Sequence, residues 1–236
     1  NLPRSDGGTP CMTAAYNDHD KCIRLLVTAP GDTLDINAIG TGEAWEGKTA
    51  LDVAIEAEKS GAEAVLVVAD DVAADIDRPG VRILASCEIH NAFPGELSGL
   101  SAGWEILGEE LWEATGYRPR DMDFAQLYDD YPIVVGLQLE GYGFCGQGEC
   151  GVFLETTDIS NWGELPINTG GGQLSVGQSG AGGSMIHVVE AVQQLQNEAG
   201  ERQVVGAEHG LVSGYGMFSY ARGLCTAATI LECDER

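Results

Sequence analysis

Basic residues are scarce in this chain. Its 236 residues include 12 lysines and arginines against 37 aspartates and glutamates, a formal charge of −25. A nucleic-acid binder needs a basic face to displace counterions from phosphates, so that class is excluded. Acidity of this degree is instead a solubility trait of the surface. Also missing is any C-x-x-C pair. Cys11, Cys22, Cys87, Cys145, Cys150, Cys225 and Cys233 are odd in number and scattered, which argues against a disulfide scaffold and for a reducing cytosol. No histidine neighbours the closest pair, Cys145 and Cys150, so no metal site is expected there. No apolar run approaches membrane-spanning length, and the amino terminus lacks the charged start and apolar core of a signal peptide. There is no initiator methionine, from which the sequence is expected to be part of a longer one. The expectation is a cytoplasmic protein with neither a membrane nor a nucleic-acid partner.

What is present suits a compact α/β protein: 44% hydrophobic residues and 33 glycines, with no internal repeat, linker or low-complexity block. Residues 1–60 are poorly legible, with a short amphipathic helix at 51–58. A buried strand spans Ala64–Ala69, a helical turn Asp70–Asp77, and a second strand Val81–Ser86. A helix over 101–114 buries Trp104, Ile106, Leu107 and Leu111 on one side. A further helix is predicted over Asp123–Leu139, opening on an aspartate and burying Phe124, Leu127 and Ile133–Val135. A glycine-rich stretch, 177–183, feeds a helix over Met185–Glu198, and two strands close the chain at Gly210–Ser213 and Ala227–Leu231. Strands alternating with helices over this length imply a layered α/β unit with a mixed sheet.

Two phosphate-loop spellings occur, and both fail on physical grounds. Gly42-Glu43-Ala44-Trp45-Glu46-Gly47-Lys48-Thr49 satisfies G-x-x-x-x-G-K-[ST]. Glu43 and Glu46, however, would set two negative charges beside a phosphate cradle, and Trp45 would crowd its turn. Gly141–Gly146 spells G-x-G-x-x-G but follows a predicted helix rather than a strand, so it is not a dinucleotide fingerprint.

The stretch from Asp129 to Tyr220 is more specific. Gln126-Leu127-Tyr128-Asp129-Asp130-Tyr131 leads to Gly141-Tyr142-Gly143-Phe144-Cys145-Gly146. Next come Leu165-Pro166-Ile167-Asn168-Thr169-Gly170-Gly171-Gly172, Gly177-Gln178-Ser179-Gly180, a helix with Glu190, Gln193 and Gln194, and Ser213-Gly214-Tyr215-Gly216. In order and spacing these segments resemble the C-terminal half of lipid-transfer (sterol-carrier-protein) type thiolases. That family shows H-D-C-F or N-E-A-F, then P-V-N-x-x-G-G, G-H-P and a closing C-x-G. The resemblance runs from about Ser60 onward, dividing the chain into an N-terminal remnant, 1–60, and a C-terminal thiolase-like domain, 61–236. It implies the family's α-β-α-β-α layers with mixed sheets, of which mainly the C-terminal half is recognisable.

The reactive groups of that family are replaced. Gln178 stands at the G-H-P histidine and Gly214 at the C-x-G cysteine, while Tyr128 falls in the H-D-C-F frame. Thiolase chemistry needs an acyl-accepting thiolate, a second cysteine as acid/base, and oxyanion holes. Cys145, Cys150 and Cys225 do not sit at family cysteine positions and read as small core residues. Gln178 and Tyr128 still offer hydrogen bonds for an oxyanion hole. Retro-aldol cleavage of a β-hydroxyacyl-CoA fits such a site, because it needs a base, an acid and enolate stabilisation but no nucleophile. Tyrosine, with an ordinary pKa of roughly 10, fills both proton roles when its surroundings tune it. Candidate catalytic residues are therefore Tyr215, Tyr128, Tyr131, Gln178 and Tyr220. Asp129, Asn168, Gly214 and Gly216 are the candidate substrate-binding positions. His187 reads as structural, and His209 is held open as a further candidate.

Within the family, Asn168–Ser175 and Gly214–Met217 resemble the thiolase-like aldolases of bacterial steroid side-chain degradation. Those enzymes cleave a hydroxylated steroid-CoA to a 17-ketosteroid and propionyl-CoA. This resemblance implies a partner subunit with an OB-fold and a zinc ribbon, a homodimer within a hetero-oligomer, and no bound cofactor, coenzyme A arriving with the substrate. Two other readings stay open. One is a thiolase or acyltransferase whose cysteine nucleophile lies in a half outside this sequence. The other is a degenerate thiolase fold kept as a lipid-binding or scaffolding subunit.

Overall fold

A computed structural model describes residues 79–93, 101–177, 185–219 and 222–234. The strand predicted at 64–69, the helices at 51–58 and 70–77, the G-x-x-x-x-G-K-T stretch and the boundary at residue 60 lie outside the described residues. The chain divides into two units, Asn1–Arg78 with Ser179–Val189, and Pro79–Gln178 with Glu190–Arg236. The elements below belong to the second unit, except that the division cuts the last helix before Glu190.

In chain order these are β1 (Gly80–His90), α1 (Trp104–Thr115), β2 (Phe124–Gln126), α2 (Pro132–Gly141), α3 (Cys150–Thr156), α4 (Gly172–Val176), α5 (Met185–Leu195), β3 (His209–Ser219) and β4 (Arg222–Asp234). The strands form one mixed sheet in the order β1-β4-β3-β2, with β2 parallel to β3 and the other pairs antiparallel. The two strands expected near the end of the chain are thus the adjacent long strands β3 and β4. Period-2 alternation decides which side chains they bury. Leu211 pairs with Ile230, Ser213 with Ala228 and Tyr215 with Thr226, and all six are buried.

α1 covers that face. Trp104, Leu107, Gly108, Leu111 and Trp112 are its buried residues, spaced at i, i+3, i+4, i+7 and i+8. Its last turn closes on Gly116, whose φ of 78° suits glycine and whose N–H reaches the Trp112 carbonyl. α1 and α2 approach closely at Gly141, where a Cβ would lie 2.6 Å from the Cβ of Trp104. The Trp112 indole locks the crossing by donating to the Tyr142 carbonyl at 3.0 Å.

The single helix expected over Asp123–Leu139 is not formed. Phe124–Gln126 is instead a strand and α2 starts at Pro132. Proline cannot sit inside a helix, because it lacks an N–H and clashes with the carbonyl four residues back, but it suits the first helical position. It also pushes Tyr131 into extended backbone, at φ −136°, ψ 145°. Asp123 does not start a helix: its carboxylate accepts the N–H groups of Glu208 and His209, both at 2.8 Å. Ile133 is 68% exposed, whereas Val134 is buried.

Candidate active site

Tyr215 reaches the core because β3 alternates. Its ring lies 5.1 Å from that of Trp104, tilted by 51°, and 6.0 Å from that of Tyr128, edge-on at 73°. Such pairs contribute about 0.5–1.5 kcal/mol each beyond area burial, so the rings fix one another's orientation. Both tyrosines are buried, each 6% exposed. A third phenol is tied to the strand that carries Tyr215. Tyr142 shares a 2.8 Å hydrogen bond with Ser213, two residues before Tyr215 on the same strand face. Burial pushes the Tyr142 phenol well above its ordinary pKa, against a smaller opposing effect of the Ser213 hydrogen bond.

The segment that carries Tyr128 and Asp129 continues from β2. Its far edge is lined by Pro166–Asn168: Ala125 donates to the Pro166 carbonyl at 3.0 Å and accepts from the Asn168 N–H at 3.0 Å. Asn168 then turns with φ 50°, a left-handed conformation that asparagine tolerates. Its side chain grips Leu127, accepting from the N–H at 2.7 Å and donating to the carbonyl at 2.9 Å. Asp129 reaches back to the same loop. Its carboxylate accepts the N–H of Gln173 at 2.8 Å and of Leu174 at 3.3 Å, at the start of α4. Gly172, at φ 59°, lies so close that a Cβ there would run into that carboxylate. Asn168 and Asp129 thus hold the 168–174 loop against the Tyr128 segment.

Beneath the loop lies a buried polar network. The Thr169 hydroxyl accepts from Gln126 Nε2 at 2.8 Å and Gln194 Nε2 at 3.1 Å, and donates to Glu190 Oε1 at 2.7 Å. Glu190 is balanced by Arg202 at 2.9 Å, and no lysine or arginine lies between Arg120 and Arg202. Gly170 lies against Glu190, its Cβ position 2.7 Å from Oε2. One buried amide stands apart. Neither polar atom of the Gln173 side chain has a hydrogen-bond partner among the described residues, a costly arrangement for a group 5% exposed.

The sequence candidates fall into distinct places. Tyr128 and Tyr215 are brought together, with Asp129 and Asn168 fastening the segment beside them. Gly214 and Gly216 flank Tyr215 on the opposite face of β3, and among the described residues nothing lies within 4 Å of a Cβ placed on Gly216. Tyr131 is not part of the cluster: it precedes α2 and is 61% exposed. Gln178 and Tyr220 lie outside the described residues. His187 is buried within α5. His209 stands six residues from Tyr215 along an extended strand, roughly 20 Å away. There its Nε2 meets the Tyr117 hydroxyl at 2.8 Å and Glu232 at 3.2 Å. Burial lifts the Cys145 thiol to about 11 and raises that of Cys150, so both are poor nucleophiles near neutral pH. No group of metal-binding side chains occurs among the described residues, nor any helix long and apolar enough to cross a membrane.

Sequence reading missed Gln138 and Arg202 as shapers of this region and named Glu190 only as part of a motif, without a role. The available signal was polarity out of place: Gln138 interrupts the apolar run from Pro132 to Leu139, and Glu190 and Gln194 share a face of another helix.

Comparison with known proteins identifies the family. Residues 96–228 match the family described as thiolase C-terminal domain-like. The chain is 35% identical over 168 residues to a Mycobacterium tuberculosis protein named 17-hydroxy-3-oxo-4-pregnene-20-carboxyl-CoA lyase, covering 66% of this chain and 41% of that one. It is 31% identical over 125 residues to a steroid side-chain-cleaving aldolase of Thermomonospora curvata, covering 50% of this chain and 32% of the relative. Bovine sterol carrier protein 2 is also 31% identical, over 144 residues, 58% of this chain and 26% of that protein. Among solved structures, one described as an Ltp2-ChsH2(DUF35) aldolase superposes with a TM-score of 0.58 at 25% identity, covering 72% of this chain and 44% of the other. The chain spans less than half the length of these relatives.

Proposed function

The chain belongs to the thiolase C-terminal domain-like family, and on that footing we propose that it forms the acid/base half of a retro-aldolase acting on a β-hydroxyacyl-CoA. The observation that carries this reading is the buried edge-to-face pair of Tyr128 and Tyr215, with Tyr215 next in sequence to Gly214, the position that the resemblance aligns with the family's acid/base cysteine. One phenol, as phenolate, takes the proton of the β-hydroxyl. The bond between the α and β carbons breaks, the β carbon becomes a ketone, and the electron pair moves into a thioester enolate. Hydrogen-bond donors, with Gln178 the sequence candidate, stabilise the enolate oxygen. An acid then returns a proton to the α carbon.

The names of the mycobacterial and Thermomonospora relatives support a steroid side chain as the acyl group, giving a 17-ketosteroid and propionyl-CoA. The paired name of the structural neighbour supports a partner subunit, for which the sequence expectation is an OB-fold with a zinc ribbon, around a homodimer in the cytoplasm. The test is release of propionyl-CoA from 17-hydroxy-3-oxo-4-pregnene-20-carboxyl-CoA by the full-length protein expressed with its partner. Tyr215→Phe keeps the ring and removes the hydroxyl, and turnover should fall about 100- to 10,000-fold. Wild-type turnover in a folded Tyr215→Phe protein would remove that residue from the chemistry.

A further inference from the structure

Tyr128 lies outside any ladder or helix: β2 ends at Gln126 and α2 begins at Pro132. Leu127 and Tyr128 are nevertheless buried, and buried backbone polar groups need partners. Two side-chain amides provide them. Asn168 serves both backbone groups of Leu127. Gln138 serves both of Tyr128: its Oε1 accepts the Tyr128 N–H at 3.2 Å, and its Nε2 donates to the Tyr128 carbonyl at 2.7 Å. A primary amide offers an acceptor and two donors on one plane, so each side chain imitates one residue of a neighbouring strand.

The second N–H of Gln138 bonds the Val134 carbonyl at 2.9 Å, tying the amide to its own helix. Two carbonyls demand a donor and one N–H demands an acceptor, which dictates the orientation of the amide. Gln138 is fully buried in a helix whose residues from Pro132 to Leu139 are otherwise apolar. An apolar side chain would fill that space but remove both of these hydrogen bonds to the Tyr128 backbone.

We propose that Gln138 is a positioning residue for Tyr128: its amide sets the backbone of Tyr128 and thereby holds the phenol against Tyr215 in the reacting geometry. The proposal rests on the Tyr128–Tyr215 reading above and adds a residue to it.

Gln138→Glu tests it, because the replacement switches with pH. As a carboxylate it accepts but cannot donate, and it faces the Tyr128 and Val134 carbonyls with lone pairs. Protonated, it accepts the Tyr128 N–H and donates one O–H, restoring most of the clamp. Burial raises a carboxyl pKa, which brings this change into the working range. With 17-hydroxy-3-oxo-4-pregnene-20-carboxyl-CoA as probe, kcat of the variant should be about 10- to 100-fold below wild type at pH 8, the scale of a misplaced reacting group. The variant-to-wild-type ratio should climb as pH falls towards 6, with KM little changed. In a Tyr128→Phe background the same substitution should cost nothing further, since it acts through the hydroxyl that is gone. A ratio flat with pH, or losses that add, would overturn the proposal.

If the wild-type protein leaves the probe uncleaved, the retro-aldol reading fails and amide exchange still tests the clamp. Deuterium exchange at Tyr128 in Gln138→Glu should be faster than wild type at pH 8 and approach the wild-type rate at pH 6; unchanged protection at pH 8 sinks the idea. Should that variant not fold at pH 8, Gln138→Asn keeps an amide one methylene too short. Its loss relative to wild type should be the same at every pH, and it should cost nothing further when introduced into the Tyr128→Phe background.

Discussion

Asp129 offers the sharpest measurement of what fastens the site. Its carboxylate accepts the Gln173 N–H at 2.8 Å and the Leu174 N–H at 3.3 Å, while itself only 3% exposed. Hydrogen bonds to a charged group are worth about 1.5–3 kcal/mol, roughly twice a neutral one. Asp129→Asn keeps one oxygen. The shorter bond survives in neutral form, while the longer is replaced by an NH2 facing an N–H. The expected loss is about 2 kcal/mol. Asp129→Ala removes both acceptors and leaves the Gln173 amide buried without its carboxylate, so about 3–4 kcal/mol is expected. For a domain of this size each kcal/mol moves Tm by about 2–4 °C, giving a drop of about 4–8 °C for the asparagine variant. Trp104 and Trp112 are buried in the same unit and report unfolding by fluorescence. In urea the midpoint should fall with the m value unchanged. An asparagine variant within about 0.5 kcal/mol of wild type, or an alanine variant more stable than it, would refute the assignment of Asp129 as the fastening of the 168–174 loop.

Other outcomes follow from the same contacts. Arg202→Leu strips the counterion from buried Glu190; because Arg202 is 40% exposed, the urea-measured loss should be about 2 kcal/mol, below the 3–5 of a fully buried pair, and Glu190→Gln in the same chain should recover part of it. Tyr142 is held neutral in the fold with its pKa raised above the ordinary 10.0, so its contribution is full below pH 10. It is lost above that, at up to about 1.4 kcal/mol per pH unit, until the folded phenol ionises. Tyr142→Phe should flatten that part of the alkaline stability profile; an unaltered slope would show that another group sets it.

Much of the fold was legible because its signals are local and periodic. The apolar stripe of α1 and the charge-free run of β4 from Ala227 to Leu231 depend only on neighbours in sequence. The Asp123–Leu139 prediction failed because apolar residues are dense on both sides of Pro132. There the proline's missing N–H outweighs periodicity and splits one predicted helix into a strand, a clamped segment and a helix. At the site, Tyr128 and Tyr215 could each be named from the aligned motifs, whereas the contact between their rings is a property of the fold. The roles of Gln138 and Arg202 were not legible in those motifs. They depend on which backbone groups lack partners, a property of the folded chain that no residue spacing announces. Tyr131 illustrates the converse: adjacent in sequence to the site segment, it is turned outward by the extended backbone that Pro132 imposes.

The side-chain amides at 138 and 168 have a consequence for how this region tolerates sequence drift. In an ordinary sheet the partners of a buried strand are other backbones, present whatever the side chains become. Here the pairing of Leu127 and Tyr128 is encoded in two side chains, so a single codon change can delete two backbone hydrogen bonds at once. Positions 138 and 168 should therefore accept fewer replacements than Tyr128 itself, where phenylalanine keeps both the ring and the clamp. In a saturation library scored for folded protein, the amides rather than the tyrosine should be the intolerant positions.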